Sequence, residues 1–404
     1  MLKEIQGGVC AAKGFTANGV HCGIRKNKTK RDLSLIFSET QASAAAVYTQ
    51  NLVKGAPLTV TKNNIADGKA RAVICNSGNA NTCNANGIEI AEQTCALLAK
   101  ELKIDAKDVV VASTGVIGHP LDITPIAEGI PALVSGLGLH SDLACEGIMT
   151  TDTKEKEIAF EFTVGGKTCR IGGIAKGSGM IHPNMATMLV FVTTDCAISS
   201  AMLAKALSAD VKDSFNMISV DGDTSTNDMV SVLANGMAGN AEITEEGEAF
   251  DNFCAALSAT TTYLCRKIAA DGEGATKLLE CKVTGAKDEQ TAKIVAKSVI
   301  CSSLVKAAMF GSDANWGRVL CAIGYAGVDV DVNKVDVAFR SAKGEISVCK
   351  DGAGIEFSEE KAKEILLENE IEILVALGDG DGKATAWGCD LTYDYVKING
   401  DYRT

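Results

Sequence analysis

The run Met188-Leu-Val-Phe-Val-Thr-Thr194 is apolar and rich in β-branched residues, and it reads as a buried strand. The residues that lead into it have the opposite character. Lys176-Gly-Ser-Gly-Met-Ile-His-Pro-Asn-Met-Ala-Thr187 holds Gly177 and Gly179, which open backbone conformations closed to other residues, and Pro183, which sets one φ angle. Thr187 marks the junction, directly after the small Ala186. A hydroxyl so placed can attack the carbonyl before it, in an N-to-O acyl shift whose ester water then opens to free a threonine amine. That amine, with a reference pKa of about 7.7–8.0, can take the hydroxyl proton near neutrality, where an unperturbed lysine at about 10.4 cannot. One residue then supplies both nucleophile and base. On residue chemistry alone, a threonine chosen for its β propensity explains the position more economically. Both readings stand at this point.

At 404 residues the chain can bury one large core or two ordinary ones. Its formal net charge of −12 argues against general nucleic-acid binding, which needs a basic surface, but leaves room for a local pocket for a small anion. No apolar run approaches the ~20 residues that span a bilayer. The N-terminal Met1-Leu-Lys-Glu-Ile-Gln-Gly-Gly8 lacks the apolar core of a secretory signal, so a cytoplasmic protein is expected. The 15 cysteines are odd in number and none pair as Cys-x-x-Cys. That usage implies small buried hydrophobes in a reducing compartment rather than a disulfide framework or a zinc ribbon.

Taken in order, strands are expected over 32–38, 71–76, 108–113, 157–164 and 168–174, and a helix over about 88–102. The loop Asn76-Ser-Gly-Asn-Ala-Asn81 follows one strand, and Ser113-Thr-Gly-Val-Ile-Gly118 follows another. Asn and Gly suit turns by themselves. Strand ends are also where scaffolds present functional backbone groups, and a free N–H beside the Thr114 hydroxyl would serve as an oxyanion hole. Residues 124–150 read as helical, with Pro131 opening a second segment, and they end at the hydroxyl cluster Met149-Thr-Thr-Asp-Thr153. Further helices are expected near 200–215, 246–265, 291–308 and 358–367, and strands over 277–283, 335–339, 346–349 and 371–376.

Several familiar signals fail. Gly166-Lys-Thr168 resembles the end of a P-loop, but Glu161 stands where the first glycine belongs. Asp379-Gly-Asp381 and Asp221-Gly-Asp223 lack the spacing of a calcium loop and read as turns. His21, His119, His140 and His182 have no metal-ligand spacing, and no metal site is expected.

The segment Lys176–Leu189 closely resembles the self-cleavage segment of the ArgJ family, the glutamate N-acetyltransferases (ornithine acetyltransferases) of arginine biosynthesis. The likeness runs along the chain through Lys13-Gly-Phe15, Cys75-Asn-Ser-Gly-Asn-Ala-Asn81, Ser113–Gly118 and Met149–Thr153. It continues through Ser219-Val-Asp-Gly-Asp-Thr-Ser-Thr-Asn-Asp228, Gly311-Ser-Asp-Ala-Asn-Trp-Gly-Arg318 and Tyr395-Val-Lys-Ile-Asn-Gly-Asp-Tyr-Arg-Thr404.

The resemblance implies an α/β fold, an αββα layered sandwich of the DmpA/ArgJ type with a second, smaller α/β domain. The structural cut is expected near residue 280. It further implies cleavage between Ala186 and Thr187 into an α chain, 1–186, and a β chain, 187–404, assembled as a heterotetramer. Thr187 would be the nucleophile and Thr114 with Gly115 the oxyanion hole. Thr150, Lys176, Thr187, Glu273, Asn399 and Thr404 match the substrate-binding positions. The implied reaction moves an acetyl group from N2-acetylornithine to glutamate through acetyl-Thr187, without metal or organic cofactor, and acetyl-CoA is a second donor in some members. Two other readings remain: an aminopeptidase on the same self-processing fold, and a non-catalytic binding or regulatory protein on that scaffold.

Overall fold

The computed structural model describes residues 2–182 and 188–400. The chain forms two compact units. The first holds residues up to 177, with 184–215 and 224–264; the second holds 178–183, 216–223 and 265–404.

In the first unit nine strands form one hydrogen-bonded sheet. They are β1 (Lys3–Ile5), β2 (Phe15–Val20), β3 (Leu33–Tyr48), β4 (Lys69–Asn76), β5 (Val109–Ser113), β6 (Lys156–Val164), β7 (Lys167–Lys176), β8 (Leu189–Thr194) and β10 (Met229–Ala234). The order is β1-β6-β7-β8-β10-β3-β4-β5, with β2 also paired to β3. Only β4·β5 and β8·β10 run parallel. β3 joins the two halves. Its residues Leu33–Phe37 pair with β2 and β4, a register shift follows between Phe37 and Ala42, and Ser43–Tyr48 pair with β10.

Both faces of this sheet are covered, and β5, β8 and β10 are buried at every residue. Ile36, Val73, Cys75, Val110 and Ala112 from one half pack in a single core with Ile174, Leu189, Phe191, Met229 and Leu233 from the other. The alternate residues Leu33, Leu35, Ile74 and Val111 meet helices α2 (Gly87–Leu102) and α3 (Thr124–Ser135) through Leu98, Ile126 and Leu133. On the far side Phe162 stands against Phe253 of α6 (Glu248–Ala270), with ring centroids 6.4 Å apart. Gly173 faces Leu264 and Thr260 of the same helix. The layers are therefore helix, sheet, sheet, helix, as expected. α1 (Ala56–Asn64), α4 (Ser141–Ile148) and α5 (Ser200–Asp210) complete the unit.

The second unit is built on a seven-stranded sheet of order β14-β13-β12-β15-β11-β16-β9. Its strands are β9 (Ile218–Ser219), β11 (Leu278–Ala286), β12 (Asp336–Ser341), β13 (Gly344–Lys350), β14 (Ala353–Gly354), β15 (Glu370–Ala376) and β16 (Gly382–Cys389). β11 runs between β15 and β16, and α7 (Glu289–Cys301) buries Val295 and Val299. α8 (Ser303–Phe310), α9 (Trp316–Gly324), α10 (Glu359–Leu366) and α11 (Tyr393–Gly400) follow.

Several boundaries differ from expectation for local reasons. Residue 280 lies within β11, an interior strand of the second sheet, and the last stretch of the second unit begins at Cys265. Pro131 lies inside α3, and the helical stretch breaks at Gly136-Leu-Gly138. The helix expected over 291–308 is two helices, because the Ser302 hydroxyl accepts the Val305 N–H and caps α8. α9 and α11 were not foreseen. Among the described residues no helix is long and apolar enough to cross a membrane. Ten of the 15 cysteines are buried and all are free thiols.

Phe191 is 1% exposed at the centre of the inter-sheet core. Phe191→Ala should lower unfolding free energy by about 3–5 kcal/mol, measured by urea denaturation.

Candidate active site

The described site residues fall in three groups: Thr114 with Gly115 and Thr150 with Lys176 in the first unit, and Glu273 with Asn399 in the second. In the first unit the parallel strands β4 and β5 end side by side, and each releases a glycine-containing loop. The loop after β4 is a nest of asparagine turns. Asn76 Oδ1 accepts the N–H groups of Gly78 and Asn79, and Asn79 Oδ1 accepts that of Asn81 at 2.8 Å. Asn227 ties both loops together. Its Nδ2 donates to Ala80 O at 2.6 Å and to Ser113 O at 2.9 Å, while Thr82 Oγ1 donates to its Oδ1 at 2.6 Å.

This frame decides which donors the Thr114-Gly115 turn can offer. The Thr114 N–H is already committed to Asn76 O at 2.9 Å. What remains is the Thr114 hydroxyl and the Gly115 N–H, on half-buried residues. Gly115 has φ +124°, and a Cβ there would stand 2.6 Å from the Gly78 carbonyl carbon, so only glycine fits. A hydroxyl and an amide fixed at a strand end are suited to holding a developing oxyanion.

Asp152 brings Thr150 and Lys176 into one network. Its Oδ2 accepts the Thr150 N–H at 2.9 Å. Its Oδ1 accepts the Gly177 N–H at 2.7 Å, fixing the end of β7 that carries Lys176. The same Oδ1 lies 2.7 Å from Nζ of Lys156, a lysine only 1% exposed. Burial alone would push the Asp152 carboxyl up. The ammonium groups of Lys156 and Lys176 and the Gly177 N–H outweigh that and hold it well below the usual carboxylate range.

Asp228 shows the opposite balance. It is fully desolvated, with Oδ2 lacking any hydrogen-bond partner, and burial raises its carboxyl well above 3.8 despite Ser225, Lys176 and Thr49. Asp152 thus meets the Lys156 ammonium directly, while burial drives the Asp228 carboxyl toward its neutral form. Lys176 is a buried lysine at the end of β7, a residue type that suits a substrate carboxylate.

In the second unit Asn399 Nδ2 donates to Glu273 Oε2 at 2.8 Å and to Tyr395 O at 3.0 Å, which also ties the asparagine into α11. Glu273 is buried, and its N–H donates to Ser178 O at 3.0 Å. A Cβ on Gly179 would meet the Glu273 carboxyl at 2.4–2.5 Å, so that glycine admits the carboxylate. Ala186, Thr187 and Thr404 lie outside the described residues. The structure thus groups Thr150 with Lys176, and Glu273 with Asn399, and it sets Thr114-Gly115 at a strand end. Sequence reasoning missed Asp152, Asn227 and Asp228 as site-builders. Their only signal was density of hydroxyl and carboxyl groups in Met149–Thr153 and Ser219–Asp228. Among the described residues no cluster of three or more His, Cys, Asp or Glu could hold a metal ion.

A strand-end hydroxyl and amide, and a buried lysine, on a layered α/β scaffold are the groups that acyl chemistry on an anionic substrate would call on. The chain belongs to the ArgJ family, whose model matches residues 16–404. It is 50% identical over 405 residues to the arginine biosynthesis bifunctional protein ArgJ of Caldanaerobacter subterraneus subsp. tengcongensis, covering 100% of both chains. A solved arginine biosynthesis bifunctional protein ArgJ from Bacillus halodurans is 50% identical with a TM-score of 0.50, covering 52% of this chain and 98% of that one. A solved ornithine acetyltransferase from Mycobacterium tuberculosis, complexed with ornithine, is 35% identical with a TM-score of 0.43, covering 46% of this chain and 100% of that one.

The raised Asp228 carboxyl has a sign that can be tested. Its folded pKa lies above its unfolded value near 3.8, so its stabilising contribution is complete below 3.8 and is lost as pH rises through the folded value. Asp228→Asn should therefore flatten the fall in stability above pH 4 and be relatively more stable at pH 7–8 than at pH 4, read by denaturant unfolding across that range.

Proposed function

We propose that the chain is a self-processing acetyltransferase of arginine biosynthesis, which moves an acetyl group from N2-acetyl-L-ornithine to L-glutamate and also accepts acetyl-CoA as donor. The observation that carries this reading is the 50% identity, over the full length of both chains, to a protein named for bifunctionality in arginine biosynthesis. In maturation the Thr187 Oγ–Ala186 carbonyl bond forms while the Ala186–Thr187 amide breaks, and the hydroxyl proton passes to the released amine. Water then splits the ester, giving the Ala186 carboxyl and restoring the hydroxyl. The solved Bacillus halodurans chain, matched over 98% of its length yet spanning 52% of this one, supports two shorter chains. Those chains, 1–186 and 187–404, would assemble as a cytoplasmic heterotetramer.

In turnover the Thr187 amine takes the hydroxyl proton as Oγ attacks the donor acetyl carbon. The Thr114 hydroxyl and Gly115 N–H bear the oxyanion. Ornithine, or CoA, leaves with the proton, and glutamate attacks acetyl-Thr187 to leave as N-acetylglutamate, a ping-pong cycle. Lys176 offers its charge to a substrate carboxylate, beside Thr150. Glu273, held by Asn399, offers a carboxylate to a substrate ammonium, and Thr404 completes the substrate-binding set. None of these steps calls on a cofactor.

Purified protein should form N-acetylglutamate from glutamate with either donor; no product with either overturns the assignment. Release of ornithine or peptides with no acceptor present would favour the aminopeptidase reading instead. Thr187→Ala should run as one uncleaved band and show no transfer. Thr114→Val should leave cleaved protein with kcat lowered about 10²–10³-fold, the effect of losing one oxyanion donor. In the wild type, kcat/KM should fall on the acid side with an apparent pKa near 8, read from initial rates, because the free α-amine is the base.

A further inference from the structure

The glycine-containing segment Ser178–His182 belongs to the second unit, as do residues 216–223. Two backbone N–H groups of this segment are held by one side chain. Met180 N–H donates to Asp221 Oδ2 at 2.6 Å, and Ile181 N–H donates to Asp221 Oδ1 at 2.9 Å. The residue before the aspartate returns the bond, Val220 N–H donating to Ile181 O at 2.7 Å. On either side the Ser178 hydroxyl donates to Asp271 O at 2.7 Å, and His182 Nδ1 lies 3.1 Å from Ser219 Oγ. Met180 has φ +57°, a left-handed conformation that is unfavourable for a residue with a Cβ. Its side chain is 42% exposed, so burial of that side chain does not account for the turn. The two-oxygen hold of Asp221 does.

We propose that Asp221 is a positioning residue for self-cleavage, the carboxylate that fixes the chain five residues upstream of the Ala186–Thr187 bond. The inference rests on the self-cleaving reading above. Attack of Thr187 Oγ on the Ala186 carbonyl needs a near-attack geometry, about 3–3.5 Å between reacting atoms. A free chain reaches it only by losing backbone freedom at every residue. With Met180 and Ile181 already pinned, part of that loss is met before bonds change. Asp221 acts through the backbone it holds and neither gives nor takes a proton in the acyl shift. A strained residue kept in place by its surroundings is a recurrent feature of reactive segments.

The test follows processing of the full-length chain, made by cell-free synthesis, from one band to two of 186 and 218 residues (404 − 186 = 218). Asp221→Asn keeps one acceptor and turns a donor toward the other N–H; Asp221→Ala keeps neither. Both should slow processing about 10–100-fold, the loss expected for one or two bonds to a charged acceptor. Asp221→Glu should recover part of the rate. A purely structural role is read separately, by placing the same substitutions in a Thr187→Ala background, where the unfolding midpoint should stay within a few degrees (~) of the uncleaved parent. Cleavage at the wild-type rate in Asp221→Ala overturns the positioning role alone. Slowing that tracks a large loss of midpoint, without rescue by Asp221→Glu, also overturns it. A wild-type chain that never cleaves overturns this inference together with the reading it rests on.

Discussion

The first unit depends on β3, one strand that belongs to both halves of its sheet. Pairing along Leu33–Phe37 serves β2 and β4, and pairing along Ser43–Tyr48 serves β10. The register shift between them lets one hydrogen-bonded surface turn and cover itself. Without that turn the inner faces of β4 and β5 would not meet those of β7, β8 and β10, and the shared core around Phe191 would not exist. The strand ends that carry Asn76, Thr114 and Lys176 owe their positions to this arrangement.

On that frame the site is an electrostatic problem solved with buried charge. Asp152 sits between two lysines and also takes backbone N–H groups from Thr150 and Gly177. A carboxylate with so many donors is favoured in its ionised form in the interior, whereas burial of Asp228, with an oxygen unpartnered, raises its carboxyl well above the usual range. Two acids in one unit are thereby driven in opposite directions, and the charge of Lys176 acts on both. The Glu273–Asn399 pair gives the second unit a carboxylate of the opposite sign, admitted by the missing side chain of Gly179.

Much of this was legible in the chain. Alternation and apolar runs located β4, β5, β6, β7, β8 and α2 within a residue or two, because each satisfies its own backbone and buries its own face. The strand expected over 32–38 continues through the exposed Glu39-Thr-Gln41 to Tyr48, across the register shift after Phe37. The break at Ser302 was missed because its signal is one hydroxyl capping one N–H. α11 was missed because it exposes apolar residues such as Val396 and so lacks a buried periodic face.

Sequence by itself determined the family, the identity of Thr187 as a hydroxyl directly after Ala186, and the residue types at Thr114, Gly115, Thr150, Lys176, Glu273 and Asn399. Those are properties of single residues and short motifs, and neighbours along the chain carry them. Only the tertiary structure decided that the Thr114 N–H is already used, that Asp152 gathers Thr150 and Lys176, and that Asp221 pins Met180 and Ile181. Each of these depends on where a donor's hydrogen bond goes or on how deeply a charge is buried. The bonds to Gly177, Met180 and Ile181 come from residues 25 to 41 positions away in sequence, which no local pattern encodes.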